Sequence, residues 1–170
     1  MNKIQEILSE LIGLPFTRST RAANMECLKF GEHFRVDNGE KLNIGELGLH
    51  LQCPWRIVQG DKLLIGSLDV YEPIEPNKPY DPDFDWDVSG GNLRDKKVED
   101  LLNRNQLVVQ HVEVDAFGGF ELIFNQGVRF QVFPANSSQD QYNEYWRLLK
   151  NNSDQDEHYV MDSSGFWEIS

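Results

Sequence analysis

The stretch DPDFDWDVSGG, residues 81 to 91, sets Asp81, Asp83, Asp85 and Asp87 at every second position. Closely spaced carboxylates are the raw material of a hard-cation site, because calcium collects several carboxylate and carbonyl oxygens. An EF-hand loop also needs glycine at its sixth position and glutamate at its twelfth. Counted from Asp81 those positions hold Trp86 and Asn92, and counted from Asp83 they hold Val88 and Arg94. Neither frame completes the ligand set, so calcium or another hard cation at Asp81 to Asp87 stays an alternative and no metal is assigned. In an extended segment the same alternation sends the carboxylates to one side and Phe84 and Trp86 to the other. The stretch then reads as a ribbon pinned by its aromatics, with Asp81, Asp83, Asp85 and Asp87 turned outward as a surface for a partner.

Thiol chemistry would recruit Cys53 with a histidine base. His50 is near in sequence, but a separation of three residues puts the two side chains on opposite faces of a regular strand, and Cys53 points into the core. An irregularity at Pro54 would undo that argument. Cys27 has no partner in sight. His33, His50, His111 and His158 show no HExxH spacing, and the chain has neither a phosphate-cradling glycine loop nor a GxSxG elbow. No cofactor is called for.

The best polar constellation is His50, Gln52, Arg56, Asp69 and Tyr71. It rests on a hairpin drawn from Leu47 to Tyr71, in which Gly60-Asp61 forms a two-residue turn and Gln59 pairs with Lys62. That register sets Ile57 against Leu64, Trp55 against Gly66, Cys53 against Leu68 and Leu51 against Val70, an almost wholly apolar face. The five polar residues share the other face, where histidine, aspartate and tyrosine are suited to acid/base work or to holding a small ligand. A polar outward face is also what any half-exposed sheet presents. His111 with Glu113 and Glu121 is a second grouping, and Arg129 near Glu121 reads as a cross-strand ion pair. Arg56 and Arg147 each follow a tryptophan, placed either to stack on an indole or to pair with acidic surface.

The elements that would carry these groups are legible in outline. Ile4, Ile7, Leu8, Leu11 and Ile12 recur at helical spacing over residues 3 to 12, with Asn2 as a cap and Gly13 and Pro15 as the stop. MECLKF, and the segment from Phe34 to Ile44 with its DNG turn, read as strands. Leu107 to Phe133 forms a second sheet unit. There a three-residue loop Asn125-Gln126-Gly127 pairs Phe124 with Val128, Leu122 with Phe130 and Phe120 with Val132, and FGG at 117 to 119 returns the chain to Val114 and Val112. Between the units a helix covers roughly 93 to 104, capped by Asn92, with Leu93, Val98, Leu101 and Leu102 inward. EYWRLLK and HYVMD are late strands. The expected fold is α+β, mostly antiparallel sheet in two units, with an N-terminal helix and one connecting helix, in a single domain spanning residues 1 to 170.

Composition narrows the function classes. Carboxylates outnumber Lys and Arg by 28 to 16 in 170 residues, a formal charge of −12. Such a field repels nucleic-acid phosphates and anionic lipid and attracts a basic protein partner. Glu6 and Glu10 interrupt the apolar pattern of the N-terminal segment, which reads as neither a signal peptide nor a spanning helix. The expectation is a cytoplasmic protein with two reduced, buried thiols, binding neither nucleic acid nor membrane.

At LHLQCPWRIV, GSLDVY and FPANSSQDQYNEYWRLL followed by HYVMDSSG, the chain resembles a family of small bacterial proteins of unassigned function. No catalytic set comes with that resemblance. Small acidic bacterial proteins of mixed α+β build often act as immunity partners of secreted toxins, so the expected function is a non-enzymatic acidic interaction protein, immunity or regulatory in role.

Overall fold

The computed structural model describes residues 3–75, 77–79, 81–140, 143–153 and 157–169. Helix α1, Lys3–Leu8, tightens into a 3-10 turn over Ser9–Leu11 and buries Ile4, Ile7, Leu8 and Leu11. The cap assigned to Asn2 falls outside the described residues. Strands β1 (Phe16–Ala22) and β2 (Met25–Phe30) follow, then the hairpin of β3 (Phe34–Asp37) and β4 (Glu40–Asn43). In the turn of that hairpin Asn38 and Gly39 both have positive φ, as the expected DNG turn requires. Next come β5 (Leu47–Leu51), β6 (Trp55–Gln59) and β7 (Lys62–Gly66), then a 3-10 turn over Ser67–Tyr71. Helix α2, Leu93–Arg104, leads into β8 (Val109–Val114), β9 (Phe120–Phe124) and β10 (Val128–Val132). The chain ends with β11 (Glu144–Lys150), β12 (His158–Asp162) and β13 (Gly165–Ile169).

All pairing is antiparallel, and the fold is α+β as expected. One sheet runs β1-β2-β5-β11-β12-β13 and the other β7-β6-β10-β9-β8. Their inner faces share one apolar core, in which Trp55 stacks on Phe130 at 5.0 Å and Trp146 meets Phe120 edge-on at 5.5 Å. Buried Trp146 also donates its indole N–H to the Gly118 carbonyl at 2.7 Å. Helix α2 packs on β1, β7 and the 3-10 turn, while α1 packs on β8. Among the described residues no helix is long and apolar enough to cross a membrane.

Local turn chemistry was a good guide. Gln59 pairs with Lys62 around Gly60-Asp61, and Leu122 and Phe120 pair with Phe130 and Val132. The longer hairpin drawn from Leu47 to Tyr71 does not form. A bulge between Ile57 and Val58 skips Leu64, so Ile57 opposes Ile65 and Arg56, not Trp55, opposes Gly66. Beyond Gly66 the chain coils into the 3-10 turn, leaving Cys53 and Leu51 with no pairing to Leu68 and Val70. Pro54 explains the break on the other strand: it has no N–H to continue a ladder, and there the chain leaves the six-stranded sheet for the five-stranded one. Strands β1 and β13 were not foreseen.

Candidate functional site

The corrected register separates His50, Gln52, Arg56, Asp69 and Tyr71. His50 lies on β5 between Cys27 of β2 and Arg147 of β11. Gln52 is exposed where β5 ends. Arg56 lies on the other sheet, donates to Gln131 Oε1 at 2.6 Å and stands over the Phe133 ring at 5.6 Å. Asp69 accepts from the Gly66 N–H at 3.1 Å and pairs with Lys97 at 3.0 Å, closing the 3-10 turn onto α2. Tyr71 packs edge-on against Trp86 with centroids 5.2 Å apart, and its hydroxyl accepts from Asn24 at 3.2 Å. The five divide between two sheets and a turn, and no common cleft gathers them. In the second grouping, Arg129 does pair with Glu121 at 3.3 Å, while exposed His111 and Glu113 approach to 3.9 Å.

Both cysteines are free and buried, as expected. Burial pushes the Cys53 thiol up to about 12. The fold does give Cys27 a neighbour, His50, directly across from it, but burial raises that thiol too. Cys27 has Lys29 nearby but is too buried to meet the accessible, electropositive setting that makes a thiolate nucleophile, and Cys53 is buried as well.

The acidic stretch is turned, not extended. The Asp83 N–H donates to Asp81 Oδ1 at 2.9 Å and the Phe84 N–H to the Asp81 carbonyl at 3.2 Å. The figure repeats one step on, with the Asp87 N–H on Asp85 Oδ1 at 3.0 Å and the Val88 N–H on the Asp85 carbonyl at 3.4 Å. These are Asx turns, in which aspartate captures the backbone two residues ahead, so the alternation that suggested a ribbon instead builds consecutive turns. The carboxylates are exposed while Phe84 and Trp86 are half-buried, so the division of faces survives for a different reason. Asp87 pairs with Arg21 at 3.0 Å. Among the described residues no Lys or Arg makes ion-pair contact with Asp81, Asp83 or Asp85.

Beside these turns runs a groove of about 710 Å³ with an apolar floor of Tyr71, Ile74, Pro79, Pro82 and Phe84. Glu72, Glu75 and Asp81 line it too, and among the described residues the one cation facing them is Lys78, which Glu75 holds at 2.7 Å.

Besides the aromatics and the Asn92 cap, this segment is held to the body by contacts that went unseen in the sequence. Arg21 of β1 grips Asp95 at 2.9 Å, pairs with Asp87, and donates to the carbonyls of Trp86 and Val88 at 3.1 and 3.0 Å. Asn92 caps α2 by accepting from the Asp95 N–H at 2.9 Å, and its amide donates to the Trp86 carbonyl at 3.0 Å. Arg21 carried no signal because β1 itself was not assigned. Arg94 was hidden by its type, since arginine is rarely buried.

A second cavity of about 700 Å³ lies between β1 and α2, lined by Ser19, Arg21, Glu26, Asp95 and Val98 among others. Its chemistry is spoken for. Ser19 donates to Glu26 Oε1, and Arg94 Nε stands 3.0 Å from Glu26 Oε2, at an angle too bent for a hydrogen bond. Burial raises the Glu26 carboxyl against the pull of Arg94. The arginine donates to the Ser67 and Asn24 carbonyls at 3.0 and 3.1 Å and lies over Trp55. The wall is therefore a neutralised clamp joining β2, α2 and the 3-10 turn.

No protein-family model, curated protein or solved structure matches this chain.

Proposed function

We propose that this protein is a non-enzymatic interaction protein, immunity or regulatory in role, that captures a basic segment of a protein partner along the groove between Tyr71 and Gly91. The observation that carries this reading is the combination of an apolar floor with carboxylates that lack cations of their own. Ile74, Pro82 and Phe84 supply area to bury, and Asp81, Asp83 and Asp85 supply a field with no internal counter-charge. A segment carrying Lys or Arg beside leucine-sized side chains satisfies both. The formal charge of −12 extends the attraction beyond contact and speeds encounter.

The test uses a synthetic peptide alternating arginine and leucine, titrated at low and at high salt, with heat by calorimetry as the readout. Binding is expected to weaken about tenfold or more as salt rises. Asp81→Asn/Asp83→Asn/Asp85→Asn should weaken it at low salt, and Phe84→Ser at both. Salt-insensitive binding, or none, overturns the proposal. A shift of melting temperature in excess calcium over chelator would instead assign the aspartates to a cation.

A further inference from the structure

We infer that the outward face of the six-stranded sheet holds a site for a small phosphate-class oxyanion, with Lys29 and His50 as its donors and Arg18 and Arg147 flanking them. Strand register brings the four together. Arg18 on β1 is directly opposite Lys29 on β2, and His50 on β5 is directly opposite Arg147 on β11. Lys29 and His50 are diagonal neighbours, since Cys27 faces His50 and Lys29 faces Gly48. Gly48 has no side chain of its own, so no side chain on β5 stands directly between Lys29 and His50, and the nearest groups over Gly48 are Asn151 and Leu149. Like charges set opposite one another across a sheet are destabilising.

The crowding is unforced. With 28 carboxylates in the chain, neutralising this patch would be simple. Yet among the described residues neither Arg18 nor Lys29 has a carboxylate in ion-pair contact, and Lys29 Nζ donates only to Thr20 Oγ1 at 3.2 Å. Neither ring nitrogen of His50 has a hydrogen-bond partner among them. The carboxylates on this face are committed elsewhere. Glu144 is held by Arg147 at 2.7 Å, and Asp162 accepts from Ser164 and Gly165 in its own turn. Arg147 spends three donors on Glu144 and His158 and keeps two.

The mutual repulsion is registered by the groups themselves. Burial is the main cause that lowers the Lys29 pKa, with Cys27 opposing and Arg18 and Arg35 adding to it, while burial followed by Lys29 and Arg147 lowers His50 against Glu144. A bound dianion relieves the like-charge part of this and accepts charge-assisted hydrogen bonds from several donors. A polyanion meets the same donors but also the repulsion of the whole acidic chain, which selects a small ligand.

The test follows the His50 imidazole by NMR, and heat by calorimetry, with inorganic pyrophosphate, with chloride at matched ionic strength, and with an oligothymidylate of equal phosphate concentration. Pyrophosphate should bind one to one and raise the His50 pKa, chloride should do neither, and the oligothymidylate should bind more weakly per phosphate. Lys29→Gln should weaken pyrophosphate about tenfold, and Lys29→Arg should restore most of it, which separates loss of the donor from loss of fold. An unmoved His50 in excess pyrophosphate, a Lys29→Gln variant that binds normally, or oligothymidylate binding without pyrophosphate binding each overturns the assignment. The outcome is independent of the groove, which the arginine-leucine peptide probes separately.

Discussion

Arg94 Nε lies 3.0 Å from Glu26 Oε2, and the two residues are only 1 % and 3 % exposed. The contact ties α2 to β2, and Arg94 adds the carbonyls of Ser67 and Asn24 to the same knot. Taking two charges out of water is costly, so a buried pair of this kind is recognised less by what it adds than by what its rupture leaves behind.

Removing one partner should therefore expose that cost. Arg94→Met strands the Glu26 carboxylate in the interior and is expected to destabilise the protein by about 3–5 kcal/mol. Glu26→Gln keeps an acceptor for Ser19 while removing the charge. The Glu26→Gln/Arg94→Met double variant should recover a large part of the loss, and urea unfolding of the four proteins gives the coupling directly.

Asn92 stands at a junction as well as at a helix start. Asn92→Ala is expected to cost about 1–2 kcal/mol through the lost cap. Because the same side chain holds the Trp86 carbonyl, the aspartate turns should loosen with it. Iodide quenching of the native state should rise in this variant, and unchanged quenching would separate the cap from the loop.

Thiol chemistry should be silent until the fold opens. Cys27 and Cys53 are both buried, and burial raises both thiols, Cys53 to about 12. A chromogenic disulfide reagent should therefore register no thiol in the native protein at pH 8 and both in denaturant. Rapid native labelling of Cys27 would show the β2–β5 face to be more open than its burial indicates.

His50 makes stability depend on pH with a definite sign. Its folded pKa is lowered, first by burial and then by Lys29 and Arg147, with His158 adding and Glu144 opposing. Below the unfolded value of about 6.5 the unfolded chain takes up the proton first, so stability falls on acidification from there down to the folded pKa. Glu26 has a raised pKa and acts in the opposite sense, gaining stability as it protonates. The difference between the parent and His50→Gln isolates the histidine, and urea midpoints from about pH 7 to pH 5 should fall less steeply in the variant.

Much of the fold was legible where the deciding forces are local. Gly60-Asp61, the parity of the loop at 125 to 127 and the Asn92 cap each depend on a few neighbouring residues, and each forms as read. The α+β class followed from the same signals. The candidate site was much less legible. The outward aspartates and half-buried aromatics of 81 to 87 divide as read, but on consecutive turns and not on a ribbon, because alternation alone cannot tell an extended strand from a chain of Asx turns.

The sequence by itself determined the charge of −12, the antiparallel plan, the turn that starts β7, the capped α2 and the buried thiols, since composition, periodicity and short-range backbone chemistry suffice for these. Only the tertiary structure decided which residues meet. One proline sent β5 and β6 into different sheets, and one bulge moved Ile65 into the place drawn for Leu64. His50 thereby left Asp69 and Tyr71 for Cys27, Lys29 and Arg147, strands apart in the chain. A period of two places a side chain on a face, but the pairing of that face with distant strands is settled by packing across the whole core.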